Sequence, residues 1–237
     1  ITTVRSPQSP NAHNLNLSPD GKIAFMAPNG KVMGIADTTT HSLLRTIAFP
    51  DNIRVFVVNH DASLIYANNN NLLGFVIADV KTGRILHRVE VRGFGWPEKW
   101  NITPRPRVPH GCPSHGIALT GDEKEVWIAD GINNYIHIFD NTVMPPKQID
   151  SIKTAAGPFW IMPSLDGKLA YVSSGEVFDI RTRRLVGKLK DEYGRPMYSE
   201  KLLDMVFTDG KLTQVANQFG NGLAPEAAPV AAEQTRK

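Results

Sequence analysis

Short runs of apolar residues follow one another along the chain, and each run is bounded by residues that favour turns. Near the amino terminus the turns read SPDG, PNG and TTT. Glycine permits positive φ there, proline presets φ, and Asp or Asn side chains accept backbone N–H groups of their own turn. The runs lack the 3.6-residue period of an amphipathic helix, so the pattern predicts β-strands. The first four predicted strands cover residues 14–17, 22–27, 32–37 and 42–48.

This pattern of runs and turns is repeated along the chain. Five stretches align with one another: LNLSPDGKIAFMA, VFVVNHDASLIYAN, GIALTGDEKEVWIAD, FWIMPSLDGKLAYVS and the shorter LDMVFTDGKLTQVAN. The acidic residues of their turns lie 41, 61, 44 and 43 residues apart, at Asp20, Asp61, Asp122, Asp166 and Asp209. Once an insertion of about 20 residues is removed from the second interval, the period is about 42 residues.

Four antiparallel strands in a unit of about 42 residues are typical of a β-propeller, in which each unit is a blade beside a central channel. We therefore predict an all-β chain that forms a β-propeller of four-stranded antiparallel blades, with about five repeats present. A propeller domain is expected over residues 1–222, with an insertion at about 93–112 and a disordered tail or linker over 223–237. The repeats themselves are expected at about 11–50, 51–92, 113–154, 157–190 and 201–220.

An aspartate closes the predicted third strand of successive units, at Asp37, Asp79, Asp140 and Asp179. A residue that is repeated in every unit is normally structural. We therefore expect these carboxylates to accept backbone N–H groups in the turn that follows, rather than to take part in catalysis.

The repeat also resembles a known family. SPDGK followed by IAFMA, a third strand that ends in Asp, the turns KTG or TTT, and a strand such as RILHRVEV are similar to YVTN-type β-propeller repeats, the surface-layer-like and lactonase-like propellers. The best match is HGIALTGDEKEVWIADGINNYIHIFD, and the resemblance covers about residues 11–220. The run from HGCPSHGIALT to SEKLLDMVFTDGK resembles an uncharacterised bacterial subgroup whose members are often predicted to be exported. The resemblance thus implies part of a seven-bladed propeller, in a periplasmic or extracellular location.

Composition adds limits to this interpretation. Apolar residues make up 41% and charged residues 21% of the 237 residues, as in ordinary globular domains. The 26 basic and 23 acidic residues are scattered, so we expect no nucleic-acid partner. No apolar run is long enough for a membrane span, and none is expected. The chain begins at Ile1 and its fifth repeat is short, which predicts either a fragment or a reduced propeller.

Candidate site residues follow from a fixed offset in the repeat. Seven residues before the turn aspartates lie His13, Arg54, His115, Phe159 and Leu202. If the blades superimpose, these side chains form a ring at one mouth of the channel, where propellers commonly bind ligands. The insertion adds His110, Trp96 and Trp100. We predict a pocket lined by His13, Arg54, His110 and His115 and capped in part by Trp96 or Trp100, suited to a small anionic or aromatic ligand.

The stretch HGCPSHG leaves other chemistry open. His13, His110, Cys112 and His115 are candidate metal ligands, but no carboxylate lies beside this stretch, so neither a metal nor another cofactor is expected. Cys112 as a nucleophile would need an activating base and an orienting group, for which no signature is present. Arg54 with His13 and His115 has the groups for lactone hydrolysis, although Phe159 and Leu202 make the rest of the ring apolar. The histidines are equally well explained as structural groups that bond to loop carbonyls.

The repeat explains nearly every residue and leaves no complete catalytic set. We therefore predict a non-catalytic, extracytoplasmic binding or scaffold propeller with its ligand at the channel mouth. A lactonase-like hydrolase or a metal-dependent enzyme that uses the channel-mouth histidines is the alternative.

Overall fold

The first four strands lie where the pattern of runs and turns predicts them. The computed structural model describes residue 4 and residues 12–95, 111–199 and 202–215, which contain eighteen strands. The strands are β1 (Ala12–Leu17), β2 (Ile23–Pro28), β3 (Val32–Asp37), β4 (Ser42–Ala48), β5 (Ile53–Val58), β6 (Leu64–Asn69), β7 (Gly74–Asp79), β8 (Ile85–Glu90), β9 (Ile117–Leu119), β10 (Glu125–Asp130), β11 (Tyr135–Asp140), β12 (Lys147–Lys153), β13 (Ile161–Pro163), β14 (Leu169–Val172), β15 (Glu176–Asp179), β16 (Leu185–Lys188), β17 (Met205–Thr208) and β18 (Lys211–Val215).

Strands that follow one another in sequence pair antiparallel and form separate sheets. Four sheets have four strands each, namely β1–β4 (blade 1), β5–β8 (blade 2), β9–β12 (blade 3) and β13–β16 (blade 4). The strands β17 and β18 pair as a two-stranded hairpin. The described part of the chain contains no α-helix. The predicted all-β fold of four-stranded antiparallel blades is therefore confirmed.

The first strand of each blade lies innermost. Strand β1 contacts β5, β5 contacts β9, and β9 contacts β13, whereas the fourth strands lie at the opposite edges of the sheets. This is the radial arrangement of a propeller, with first strands around the axis. We call the end of the channel where the first strands begin the amino-terminal mouth, and the end where they finish the carboxyl-terminal mouth.

The aspartates of the repeat hold the turns together. In blade 1 the Ser18 hydroxyl donates to Asp20 Oδ1 at 2.6 Å, and the backbone N–H of Lys22 donates to the same oxygen at 3.0 Å. These hydrogen bonds hold the pKa of Asp20 below its usual value. Asp79, at the end of a third strand, accepts the Thr82 hydroxyl at 2.7 Å. Equivalent hydroxyl bonds join Asp37 to Thr40, Asp140 to Thr142 and Asp179 to Thr182. Each of the four aspartates also accepts the backbone N–H of the same threonine, so the expected structural role is observed.

Apolar side chains fill the spaces between neighbouring blades. Phe25 and Phe56 pack between blades 1 and 2, whereas Phe75 of blade 2 meets Phe139 of blade 3 edge-on, with ring centroids 5.1 Å apart. Trp127 packs between blades 3 and 4 and is 2% exposed. Because these side chains are removed from water on both sides, each contributes on the order of 2 kcal/mol and fixes the angle between its two sheets.

Blade 1 and the terminal hairpin differ from these interfaces, because some of their apolar side chains are exposed to solvent. Leu15 and Leu17 of β1 alternate with the buried Asn14 and Asn16, and they are 55% and 47% exposed. The terminal hairpin also exposes apolar side chains, including Phe207 at 59%. Blade 1 and the hairpin therefore each present an apolar face to solvent.

Candidate functional site

The residues of the predicted ring lie at equivalent places in their blades. His13 and Arg54 are the second residues of β1 and β5, and His115 and Phe159 lie two residues before β9 and β13. All four thus lie at the amino-terminal mouth. Strand β5 lies between β1 and β9, so Arg54 lies on the blade between those of His13 and His115. The fifth member, Leu202, is half-buried and packs against the apolar cluster that contains Trp160.

Arg54 is a buried cation at this mouth. Its Nε donates to Asn70 Oδ1 at 2.7 Å, and its Nη1 donates to Asn29 Oδ1. These asparagines lie in the turns between the second and third strands of blades 2 and 1, so the guanidinium joins the two blades. Burial lowers the pKa of Arg54, against the opposing influence of Cys112 and Asp51. An arginine retains its charge under such a shift, because its usual pKa is far above neutrality.

Cys112 is a structural residue of the loop that leads into blade 3. Its side chain is fully buried, and Sγ donates to the backbone oxygen of Asn69 at 3.3 Å. Burial raises the pKa of the thiol to about 12, although Ser114 and Arg54 act in the opposite direction. A reactive cysteine needs an exposed thiolate of low pKa. The arrangement therefore does not support the nucleophile hypothesis.

The same property predicts slow chemical labelling of Cys112. At pH 8, a thiol of pKa about 12 is ionised in only about one molecule in ten thousand. We expect iodoacetamide to leave the folded protein essentially unmodified over an hour, and to alkylate one thiol per chain once the protein is unfolded in guanidinium chloride. Mass spectrometry of the intact protein measures both states. Rapid labelling of the folded protein near neutral pH would restore Cys112 as a candidate nucleophile.

His115 joins blade 3 to blade 4. It is 2% exposed, and its Nδ1 lies 3.2 Å from the backbone oxygen of Phe159, so that nitrogen carries the proton. The imidazole ring also lies against Trp160, with ring centroids 6.1 Å apart. The bond to a loop carbonyl corresponds to the structural interpretation of this histidine. His13, by contrast, is exposed at the start of blade 1.

The insertion leaves and rejoins the fold on the side of this mouth. Before it, Phe94 packs against His137 with ring centroids 4.5 Å apart, and Asn133 Nδ2 donates to the Gly95 oxygen at 3.3 Å. After it, the Asn71 N–H donates to the Gly111 oxygen at 3.4 Å. Three predicted site residues within the insertion, namely Trp96, Trp100 and His110, lie outside the described residues.

Metal coordination gains no support from the part of the chain that the structure describes. There, no group of three or more His, Cys, Asp or Glu side chains is placed to hold an ion. Of the candidate ligands, Cys112 and His115 instead bond to backbone oxygens, and His110 is outside these residues.

A buried polar group that sequence reasoning missed lies within blade 3. Asp130 Oδ2 accepts a hydrogen bond from His137 Nε2 at 3.0 Å, and Ser151 Oγ lies 2.8 Å from His137 Nδ1. Asp130 and His137 are both fully buried. The signal was present in the repeat, because His137 lies three residues before Asp140, where the corresponding residue of blade 2 is the apolar Val76. Since both ring nitrogens are bonded inside the blade, this group serves the fold.

A cavity of about 1320 Å³ opens at the carboxyl-terminal mouth, the end opposite to the predicted ring. It is lined by the turns that follow the first strands, including His60, Gly121 and Leu165. The repeat offset singled out the other mouth, because it selected residues before the strands rather than after them.

The radial sheets with their first strands innermost define the class of this protein as a β-propeller. No protein-family model matches the sequence, and no curated protein matches it either. Solved structures do match. A chain of Kuenenia stuttgartiensis hydrazine synthase is 23% identical, with a TM-score of 0.62, over 90% of this chain and 57% of that one.

Two other propellers match at lower identity. The structure of U3-55K and the WD40 repeats of RRP9 are each 9% identical, with TM-scores of 0.59, over 77% of this chain and 53% and 52% of theirs. This chain thus spans little more than half of the length of each of these structures. At such identities the likeness shows the propeller fold alone. In addition, the described residues contain no helix long and apolar enough to cross a membrane.

Proposed function

We propose that this chain is a non-catalytic, extracytoplasmic binding module that takes a small anionic, aromatic ligand at the amino-terminal mouth. The observation that carries the proposal is the buried Arg54 guanidinium, which the amide oxygens of Asn29 and Asn70 hold at this mouth. These bonds orient the side chain, and an arginine is positively charged near neutral pH. The extracytoplasmic location is supported by the resemblance of the sequence to YVTN-type repeats.

The aromatic preference is supported by the side of the mouth formed by blades 3 and 4. The Phe159 ring lies so close to Gly131 that a Cβ at this glycine would overlap it. Tyr198 meets Phe159 at 72°, with ring centroids 6.3 Å apart. A mouth that is cationic on one side and aromatic on the other matches a ligand with a carboxylate and a ring.

The non-catalytic assignment is supported by the bonds of the candidate reactive groups. Cys112 has a raised pKa of about 12, and His115 holds the loop before blade 4 through the Phe159 oxygen. The repeated aspartates stabilise turns. These side chains therefore fulfil structural tasks, whereas catalysis requires groups that contact the substrate.

Calorimetric titration with benzoate and its neutral analogue benzamide tests this function. We expect benzoate to bind with a Kd below about 1 mM, and benzamide to bind at least about tenfold more weakly, because only benzoate complements the charge of Arg54. The variant Asn29→Asp places a carboxylate at the Arg54 guanidinium, and it should weaken benzoate binding about tenfold while the protein stays folded.

Ser42→Asp is the matched control, since Ser42 is exposed at the far end of the same blade. It adds the same charge to blade 1 and should leave benzoate binding unchanged. Equal affinity for benzoate and benzamide, or equal effects of the two variants, would contradict the proposed ligand class.

A further inference from the structure

The cavity at the carboxyl-terminal mouth has an apolar floor made by equivalent residues. The last residues of the four first strands all line it, and they are Leu17, Val58, Leu119 and Pro163. Because these strands follow one another around the axis, their ends bring four apolar groups from four blades to one side of the channel. The floor is therefore a product of the radial arrangement of the blades.

The turns above this floor combine fixed and variable positions. In blades 1, 3 and 4 the residue directly after the strand, such as Ser18, donates its hydroxyl to the turn aspartate two residues later. The residue between these two is not used in that bond and differs in every blade. This variable residue lines the cavity in each case, as Pro19, His60, Gly121 and Leu165. The fold thus leaves these four positions available to determine what the cavity binds.

Most of the charged groups in the wall of the cavity are paired. Five residues with carboxylates line it, against three with Lys or Arg side chains, and Glu125 pairs with Arg183 at 2.6 Å. Lys124 lies 3.1 Å from Asp122 and Lys168 lies 3.1 Å from Asp166, so these exposed charges are balanced locally. Glu123 is different, because it is half-buried and accepts the backbone N–H of His60 across the boundary between blades 2 and 3. Its carboxylate gives this part of the wall a negative charge that a cationic ligand complements.

We propose that this cavity binds a segment of a partner protein in which a large apolar side chain is flanked by Arg or Lys. The apolar side chain packs on the floor, and the basic side chains lie at the part of the wall formed by Glu123. A peptide fits better than a single small molecule, because the volume of about 1320 Å³ exceeds the roughly 300–1,000 Å³ of ordinary small-ligand pockets. This site is separate from the amino-terminal mouth and does not depend on the function proposed there.

Fluorescence anisotropy with a fluorescein-labelled peptide of sequence GSRLRSG tests the proposal. We expect saturable binding with a Kd below about 100 μM that weakens as salt is added. The peptide GSELESG, with reversed charge, and the peptide GSRSRSG, without the apolar side chain, should each bind at least about tenfold more weakly. Equal binding of the three peptides, or no saturable binding of GSRLRSG, would overturn the proposal.

Variants of the protein locate the site. Glu123→Gln keeps an oxygen that can accept the His60 N–H but removes the charge, and it should weaken GSRLRSG binding about fivefold. Leu165→Ser should weaken it by a similar factor through the loss of apolar contact. Glu192→Gln is the matched control, because Glu192 is exposed and is not part of the cavity wall.

Circular dichroism and the melting temperature establish that each variant is folded before its affinity is compared. Unchanged affinity in both cavity variants, or an equal loss in Glu192→Gln, would show that the peptide binds elsewhere. The affinity for the peptide should be the same with and without saturating benzoate, because the two proposed sites lie at opposite mouths. Each site is therefore tested by its own ligand, and one can fail while the other stands.

Discussion

Replacing Gly74 with alanine is expected to lower the free energy of unfolding by at least about 3 kcal/mol. Gly74 begins β7 with a φ of +149°, which L-residues rarely adopt. A Cβ there would overlap the backbone oxygen of Val89 in the neighbouring strand and would lie 3.0 Å from the Cα of Glu90. Both obstacles are backbone atoms, so the clash is relieved only if β7 and β8 separate.

The Gly74 backbone also links two blades, which enlarges this effect. Its N–H donates to Ser114 Oγ at 3.2 Å, and its oxygen accepts from the Asn68 amide at 3.2 Å. Ser114 lies in the loop that carries Cys112 and His115. A shift of Gly74 therefore disturbs the amino-terminal mouth as well as blade 2.

Gly30→Ala is the matched control for this prediction. Gly30 lies in the turn before β3, the strand of blade 1 that corresponds to β7, and it has no positive φ. A Cβ there would meet only the Pro28 side chain, at an ordinary 3.5 Å. We expect Gly30→Ala to change stability by less than about 1 kcal/mol. Urea unfolding followed by tryptophan fluorescence measures both variants. A loss of stability in Gly74→Ala no larger than that in Gly30→Ala would mean that β7 tolerates a side chain at this position.

The fold was predictable because the turn chemistry and the strand pattern are repeated. Asp20, Asp122 and Asp166 each follow a hydroxyl residue by two positions, and the hydrogen bonds that this spacing allows are formed in all three turns. Local hydrogen bonds of this kind depend on a few consecutive residues, so the sequence alone is enough to predict them. The radial packing then follows from apolar residues on both faces of each sheet.

The surroundings of the candidate site residues were much less predictable. The repeat offset placed Arg54, His115 and Phe159 at one mouth, but it contained no information on burial. Arg54 is buried by turns of two blades, and His115 is turned toward the Phe159 oxygen of the next blade. These contacts join residues that are far apart in sequence, and a single repeat does not encode them. The carboxyl-terminal cavity was missed for the same reason, since four separate turns form its wall.

Replacing Asp130 with alanine is expected to cost about 3–5 kcal/mol of stability. The carboxylate is fully buried at the end of β10. Its Oδ1 accepts the N–H groups of Ile132 and Asn133 at 3.0 and 2.9 Å, and its Oδ2 accepts from the Asn133 amide at 2.6 Å and from His137 Nε2 at 3.0 Å. Alanine would leave these donors without their acceptor in a space that the Phe94 ring helps to close.

Asp37→Ala is the matched control, because Asp37 accepts the N–H groups of Thr39 and Thr40 in the same manner but at the protein surface. Water can replace Asp37 as the acceptor, so Asp37→Ala should lower the free energy of unfolding much less than Asp130→Ala.

Asp130→Asn should remain strongly destabilising. It puts an NH₂ group, which only donates, in place of one carboxylate oxygen, so the bonds that this oxygen accepts cannot form. Urea unfolding measures all three variants, and similar midpoints for Asp130→Ala and Asp37→Ala would show that burial adds nothing to the bonds of Asp130. If burial does set the difference, the structural importance of a polar group in this propeller follows from its depth between the strands, whereas the repeat pattern singles out Asp37 and not Asp130.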